Sequence, residues 1–151
     1  MRYNSVLDLH THTVASGHAY CSLREMAKVA SEKGLEVLGI TEHAPSMPGT
    51  CHKFYFNNLK VVPREMYGIQ LLLGSEVNIL DAQGTVDLGQ HTLSSMDVVI
   101  ASLHTPCMKP ASKLENTEAY LNVMGIRMTG DMRSIMRHWF RVRRNMGRFW
   151  N

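Results

Sequence analysis

The sequence predicts an α/β fold built around a mostly parallel sheet, and two observations lead to this prediction. Strand-like and helix-like segments alternate along residues 5–123, and the strand segments are continuous apolar runs. Such runs are typical of strands that are buried on both faces because helices cover a parallel sheet. The sheet is therefore expected to be either open or curled into a barrel.

Four strands are predicted, and the first helix lies between the first two of them. The predicted strands are residues 5–10, 37–41, 70–76 and 97–103. Ser22 and Glu25 form a capping-box pattern, in which the serine hydroxyl accepts from the backbone three residues on. The helix that begins there is expected to end at Gly34, because glycine readily takes the backbone conformation that follows a helix.

The remaining segments are predicted to be a hairpin, a loop and a second helix. Residues 81–84 have the composition of a turn and are expected to join a short hairpin. The segment 44–63 contains early prolines and is expected to be a loop with one helical turn. A helix is expected near residues 115–123.

Composition excludes several classes of protein. The chain has 151 residues, of which 44% are hydrophobic and 19% charged, and this balance argues against global disorder. It contains no apolar run of the roughly 18 residues that span a bilayer and no signal-peptide pattern, so no membrane association is expected. Cys21, Cys51 and Cys107 are scattered and form neither a CxxC motif nor a disulfide framework. The expected location is therefore the reducing cytoplasm.

The charge of the chain is divided unevenly between its body and its tail. Residues 1–124 carry nine Lys+Arg and twelve Asp+Glu, a net charge of −3. Residues 125–151 carry seven Arg and one acid, Asp131, a net charge of +6, and both tryptophans. A basic tail of this kind usually suggests nucleic-acid or membrane binding. Here an evolved nucleic-acid interface is not expected, because a frameshift would explain the composition of the tail.

Histidine and glutamate side chains occur at the carboxyl ends of all four predicted strands. His10 and His12 close the first strand, and because side chains at positions i and i+2 of a strand point to the same side, both can reach one metal ion. The loop after this strand and the other strand ends carry the remaining candidates, which are His18, His43, Glu76 and His104. The carboxyl ends of parallel strands meet at one edge, where α/β folds place their active sites. The sequence therefore predicts a metal site at this edge.

The donor types of this set indicate which metals and which chemistry to expect. A single histidine after a strand is usually a surface or capping residue, but six candidates at equivalent strand ends are difficult to attribute to chance. Imidazole and carboxylate donors without thiolates suit Zn²⁺, Mn²⁺ or Fe²⁺. A shared carboxylate such as Glu76 is able to bridge two ions. Clustered divalent ions lower the pKa of bound water and neutralise phosphoryl oxygens, so the pattern predicts a metallohydrolase that acts on phosphate esters.

These residues also carry a family resemblance. The motifs are Asp8-Leu-His-Thr-His12, Ser16-Gly-His18-Ala-Tyr20, Ile40-Thr-Glu-His43, Gly74-Ser-Glu76-Val-Asn78 and Ser102-Leu-His104. Together they resemble the PHP (polymerase and histidinol phosphatase) family, and most closely its YcdX-type phosphatase branch. The resemblance implies a distorted (β/α)₇ TIM-like barrel with a trinuclear zinc or manganese site.

The resemblance also implies how the six residues divide among three metal ions. His10, His12 and Glu76 would hold the first ion, and Glu76 would bridge to a second that His104 also binds. His18 and His43 would hold the third. The expected substrate is a small phosphorylated molecule, which a metal-bound hydroxide would attack at phosphorus.

The family pattern does not continue beyond His104. A Gly-His-Pro strand end and a late Asp-x-His pair, which would complete the site, are absent from residues 105–151. The chain is also shorter than the roughly 250 residues of a full (β/α) barrel. Residues 1–124 are therefore expected to be a partial PHP domain, the N-terminal half of a truncated barrel. Residues 125–151 are expected to be a basic tail that is not native family sequence.

A frameshift would explain this tail. Back-translated with ordinary codons and read one base over from the end of the Met124 codon, the tail can encode Gly-His-Pro followed by a helix-like segment. We therefore hypothesise that the native frame ends near residue 124. The nucleotide sequence around that codon tests the hypothesis, because a single-base change there must restore a longer reading frame.

The expected function is thus metal-dependent phosphatase chemistry, impaired in a chain that keeps half of the barrel. Two alternatives stay open at this point, namely a non-catalytic metal-binding remnant and a polymerase-associated PHP module that serves as an interaction domain. The sequence leaves the oligomeric state open.

Overall fold

A computed structural model describes residues 5–108 and 112–126 of the chain. Its strands are β1 (Leu7–Thr11), β2 (Val37–His43), β3 (Glu65–Met66), β4 (Ile69–Asn78) and β5 (Val98–Ser102). Its helices are α1 (Leu23–Glu32), α2 (Lys53–Asn58), α3 (Gln90–Ser94) and α4 (Lys113–Ile126). Nearly all of the tail predicted from residue 125 lies outside the described residues.

The strands form one sheet whose long strands run parallel. β2 lies between β1 and β4, β5 pairs with the other side of β4, and the short β3 pairs antiparallel with the beginning of β4. This arrangement confirms the predicted α/β class, and the parallel strands form a curled half-barrel. Gly74 in β4 makes the β4–β5 pairing possible, because a Cβ atom there would overlap the carbonyl group of Val98.

The apolar core lies beside the central strands. Its buried members come from α1, β2, α2, β4 and α3 and include Ala27, Ala30, Leu38, Ile40, Phe56, Leu71, Leu73 and Leu93. The amphipathic pattern of α1 places Ala27 and Ala30, which are three residues apart, on the buried face. Ser22 and Glu25 form the predicted capping box, in which the Ser22 hydroxyl accepts from the Glu25 backbone and the Glu25 carboxylate accepts from the Ser22 backbone.

A second, smaller core lies under α4. Ile79, Met108, Ala119 and Val123 form it, next to the end of β5. The predicted hairpin is reduced to one antiparallel bridge between Ile79 and Val86, with Gly84 at a φ of 79° in its turn. A cavity of about 300 Å³ lies between this hairpin, α3, the sheet and α4.

The segment 44–63 contains more helix than predicted. α2 spans six residues and continues into a 3₁₀ turn at Leu59–Val61, whereas the sequence indicated one helical turn in a loop. The reason is tertiary, because Phe56 and Leu59 are buried in the main core and hold this segment against it. None of the described helices combines the length and apolar character needed to cross a bilayer.

Candidate metal centre

The pairing of the strands aligns their carboxyl ends at one edge of the sheet. In the register between β2 and β4, His43 lies directly opposite Glu76. The same parallel arrangement brings the end of β1, with His10 and the following His12, to this edge. β5 adds His104, two residues after its last residue.

Glu76 lies at the centre of the histidines. Its Oε2 atom is 3.2 Å from His10 Nε2, 3.3 Å from His12 Nε2 and 3.0 Å from His43 Nδ1. Its Oε1 atom is 3.4 Å from His104 Nε2. The carboxylate is only 5% exposed, so four imidazoles surround a nearly buried acid.

Within the described residues, two groups of side chains offer three ligand atoms close enough to share one ion. One group is His10, His12 and Glu76, and the other is His43, Glu76 and His104. In each group the ligand atoms lie within 4.8 Å of one another. Glu76 belongs to both groups, which is the arrangement of a bridging carboxylate.

His18 lies beside the cluster but belongs to neither group. Its ring centroid is 5.6 Å from that of His12 and 4.8 Å from that of His43. Its Nδ1 atom lies 3.0 Å from the carbonyl oxygen of Ser16, which only accepts hydrogen bonds, so Nδ1 is the donor and Nε2 carries the lone pair. The structure thus brings all six predicted residues together, and their role as metal ligands stays a prediction.

The buried His43 nitrogen shows that the cluster fits a cation. Its Nδ1 atom is buried and, although it lies 3.0 Å from Glu76 Oε2, it makes no hydrogen bond, whereas buried polar atoms normally make one. Burial lowers the pKa of His43 to about 4, and the neighbouring His12, His104 and His18 act in the same direction against the opposing charge of Glu76. A neutral imidazole with an unshared lone pair is the form that binds a metal ion.

Glu76 is held in the form that binds cations. Burial by itself raises the pKa of this carboxyl group, but the close contacts of the His12, Ser102 and His10 side chains, together with the charge of His10, outweigh burial and keep the pKa well below its usual value. The carboxylate is therefore ionised at neutral pH.

Asn78 is a residue of this site that the sequence analysis missed as a functional group. Its Nδ2 atom donates to Ala44 O (3.1 Å) and Asp87 Oδ2 (2.6 Å), so its Oδ1 atom is the one that faces His104 Nδ1, at 2.7 Å. His104 must therefore carry its proton on Nδ1 and direct the Nε2 lone pair towards Glu76. The i, i+2 spacing of Glu76 and Asn78 in β4 is the signal that could have identified it, because such residues point to the same side.

Glu42 is the second missed residue. It precedes His43 in β2, is fully buried, and accepts hydrogen bonds from Thr13 and Ser16 in the loop after β1. The sequence offers one signal, namely an acid inside a strand whose neighbours are buried on both faces.

The cluster is open to solvent on the side of His10. The side chain of His10 is 48% exposed, compared with 18% for His12 and 8% for His43. A small molecule can therefore approach the cluster at this edge of the sheet.

Comparison with known proteins agrees with this geometry. Residues 8–142 match the PHP domain family. A probable phosphatase of Clostridium novyi (strain NT) is 57% identical over 124 residues, which are 82% of this chain and 50% of that protein. A probable phosphatase of Clostridium botulinum (strain Langeland) is 53% identical over 124 residues, with the same two shares.

A more distant relative is also named a probable phosphatase. A probable phosphatase of Thermoanaerobacter sp. (strain X514) is 48% identical over 120 residues, 79% of this chain and 49% of that protein. The chain spans about half the length of the curated relatives it matches. Since the family match covers most of its residues, the chain belongs to the PHP domain family.

Proposed function

We propose that this protein belongs to a lineage of metal-dependent phosphoric ester hydrolases and that its histidine cluster is the metal site. The ligands would be His10, His12, His18, His43, Glu76 and His104. The observation that carries the proposal is Glu76, which lies within 3.4 Å of four imidazole nitrogens and is shared by two groups of ligand atoms. Zn²⁺ or Mn²⁺, with Fe²⁺ as a further choice, would suit these donors.

The chemistry follows from the charge and the position of these side chains. Divalent ions bound there would activate water and neutralise the oxygens of a phosphate ester. Glu76 would hold two ions close together, because each of its oxygens faces different imidazoles. The exposed side of His10 would admit a small phosphorylated substrate. The relatives named probable phosphatase support this reaction class.

We further propose that the 151-residue chain, assayed by itself, hydrolyses phosphate esters slowly. Among the described residues His18 belongs to neither group of three, so a third ion there would have fewer than the three protein ligands of a catalytic zinc site. The relatives are about twice the aligned length. The free cysteines are compatible with the cytoplasmic location expected for such an enzyme.

Metal titration and a phosphatase assay on the full chain test the proposal. We expect Zn²⁺ and Mn²⁺ to bind and to support weak, chelator-sensitive hydrolysis of p-nitrophenyl phosphate. Glu76→Gln should weaken binding by at least about tenfold, because it removes the charge from the shared ligand. Glu65→Gln, at an exposed acid of β3, is the matched control and should bind as the unchanged protein does.

Two results would contradict parts of the proposal. Metal binding that is equally strong in Glu76→Gln would exclude the cluster as the site. Metal binding without any hydrolysis above the buffer rate would leave a non-catalytic metal-binding remnant, and efficient turnover would contradict the proposed impairment.

A further inference from the structure

Glu42 is a fully buried acid whose two oxygens face the loop that follows β1. The backbone N–H of Thr13 lies 3.1 Å from Oε1 and 3.0 Å from Oε2, and the Thr13 hydroxyl also donates to Oε1. The Ser16 hydroxyl donates to Oε2 at 2.5 Å. A buried charge is normally stabilised by such donors, and here all of them are neutral groups of one short loop.

Ser16 connects this acid to the histidine cluster. Besides its contact with Glu42, its Oγ atom lies 3.0 Å from the backbone N–H of His43 and 3.0 Å from His12 Nδ1. A hydroxyl group has one proton to donate and two lone pairs that accept. A carboxylate only accepts, so the proton of Ser16 points to Glu42 and both lone pairs remain for the other two partners.

The consequence is a single tautomer for His12. Its Nδ1 atom must be the donor to Ser16, which leaves the lone pair on Nε2, the atom 3.3 Å from Glu76. A metal-binding imidazole needs its lone pair on the nitrogen that faces the ion, and a hydrogen bond at the other nitrogen selects that state. The same loop is held close to the rest of the protein at Gly17, where a Cβ atom would overlap the Gly49 carbonyl group.

We propose that Glu42 is a positioning residue that acts through Ser16 to keep His12 in the tautomer with a free Nε2 lone pair. The relevance of this tautomer to metal binding rests on the proposed function, but the tautomer itself is a property of the metal-free chain. Among the hydrogen bonds of the described residues, those of the Glu42 carboxylate come from Thr13 and Ser16, and Ser16 also contacts His12.

Glu42→Gln tests the direction of the hydrogen bonds with almost no change of shape. If the amide NH₂ faces Ser16, the hydroxyl proton must turn to His12 Nδ1, and the proton of His12 moves to Nε2. If the amide oxygen faces Ser16, the NH₂ group meets the N–H of Thr13, and two donors oppose each other. The second orientation would leave the Ser16 proton in place, but this opposition of donors disfavours it, so the first orientation is the one expected in the variant.

The first measurement is the tautomer of each histidine, by long-range ¹H–¹⁵N correlation spectra of the metal-free full chain at mildly alkaline pH. We expect His12 to carry its proton on Nδ1 in the unchanged protein, and to shift to the Nε2–H form or to a mixture in Glu42→Gln and in Ser16→Ala. His104, which Asn78 holds independently, should keep its Nδ1 proton in every variant and so reports that the site is still folded. Ser75→Ala is the matched control, because Ser75 is as buried as Ser16 and donates to the Glu42 backbone instead.

The second measurement is Zn²⁺ affinity, which should fall by about 10- to 100-fold in Glu42→Gln and Ser16→Ala and stay unchanged in Ser75→Ala. If Glu42→Gln does not fold, Ser16→Ala decides, because it removes one hydroxyl group only. A folded variant in which His12 stays entirely Nδ1-protonated would overturn the proposal. If the unmodified chain shows His12 with its proton on Nδ1 but binds no Zn²⁺, that result would instead count against the proposed function.

Discussion

β2 and β5 are both parallel strands that lead into a histidine of the cluster, but they are held in different ways. β2 pairs with β1 on one side and β4 on the other, and all but its first residue are buried. β5 pairs only with β4 among the described residues, and its last four residues are partly exposed. His43, at the end of β2, is correspondingly more buried than His104, with 8% against 19% of its side chain exposed.

The difference shows two ways of holding a ligand in place. The position of His43 follows from sheet register, because the backbone pairing of β2 with β4 sets it opposite Glu76. His104 lies beyond the end of its strand. Its ring is held instead by a hydrogen bond to the side chain of Asn78, which is in turn hydrogen-bonded to the side chain of Asp87. Sheet hydrogen bonds are distributed over many residues, whereas the second arrangement depends on one amide group.

The largest effect that separates the two strands is expected for core truncation. Ile40→Ala in β2 should lower the free energy of unfolding by about 2–5 kcal/mol, because Ile40 is 1% exposed and the truncation leaves a cavity in the packed core. Ile100→Ala in β5 removes the same atoms from a partly exposed position and should cost about 1 kcal/mol. Urea unfolding of the two variants measures both values, and equal losses would contradict the distinction between the strands.

The pH dependence of stability is expected to depend on the buried end of β2. The unfolded chain protonates His43 as the pH falls below about 6.5, whereas the folded protein resists until about 4, so folding stability decreases as the pH falls through this window. The decrease should be at most about 3 kcal/mol. The lowered pKa of Glu76 acts in the same direction, because its carboxylate stabilises the folded state above the usual pKa of 4.5.

Urea unfolding of the metal-free chain at several pH values measures this slope. His43→Asn removes the titrating imidazole and should flatten the curve between about pH 6.5 and 4. A slope that persists unchanged in this variant would show that the acid sensitivity arises elsewhere.

Loss of the hydrogen bond between Asn78 and His104 is expected to have an intermediate effect. Asn78→Ala removes the only acceptor that the structure shows for His104 Nδ1, so the ring is free to turn and to exchange tautomers. Affinity for metal at the group of His43, Glu76 and His104 should fall by about 10- to 100-fold. Isothermal titration with Zn²⁺ measures this loss, and Thr41→Val, at a buried threonine whose hydroxyl donates to the β1 backbone at Thr11, is the control.

The smallest effect should come from one added methyl group in each region. Ala101→Val in β5 places the group next to the cavity of about 300 Å³ and should stabilise the protein by about 0.5–1 kcal/mol. Ala27→Val in α1 adds the group to the tightly packed core beside the central strands and should destabilise by about 1–3 kcal/mol. Thermal unfolding compares the two, and the same sign for both would mean that the packing does not differ.

Much of the fold and the cluster could be predicted because the evidence is local in the chain. Apolar runs marked the four long strands, and Ser22 with Glu25 marked the beginning of α1. β3 has two residues and no periodic pattern, so it could not be predicted. α2 forms around Phe56 because the core buries that residue, which depends on segments far away in the chain.

The sequence by itself determined that six potential ligands occur at equivalent strand ends, because strand periodicity and the direction of parallel strands are properties of short segments. Only the tertiary structure decided which ligands share Glu76, since that depends on the register between β2 and β4. It also decided the roles of Glu42 and Asn78, whose partners in Ser16 and His104 lie 26 residues away in the chain. Hydrogen bonds over such separations exist only after the chain has folded, so no local pattern encodes them.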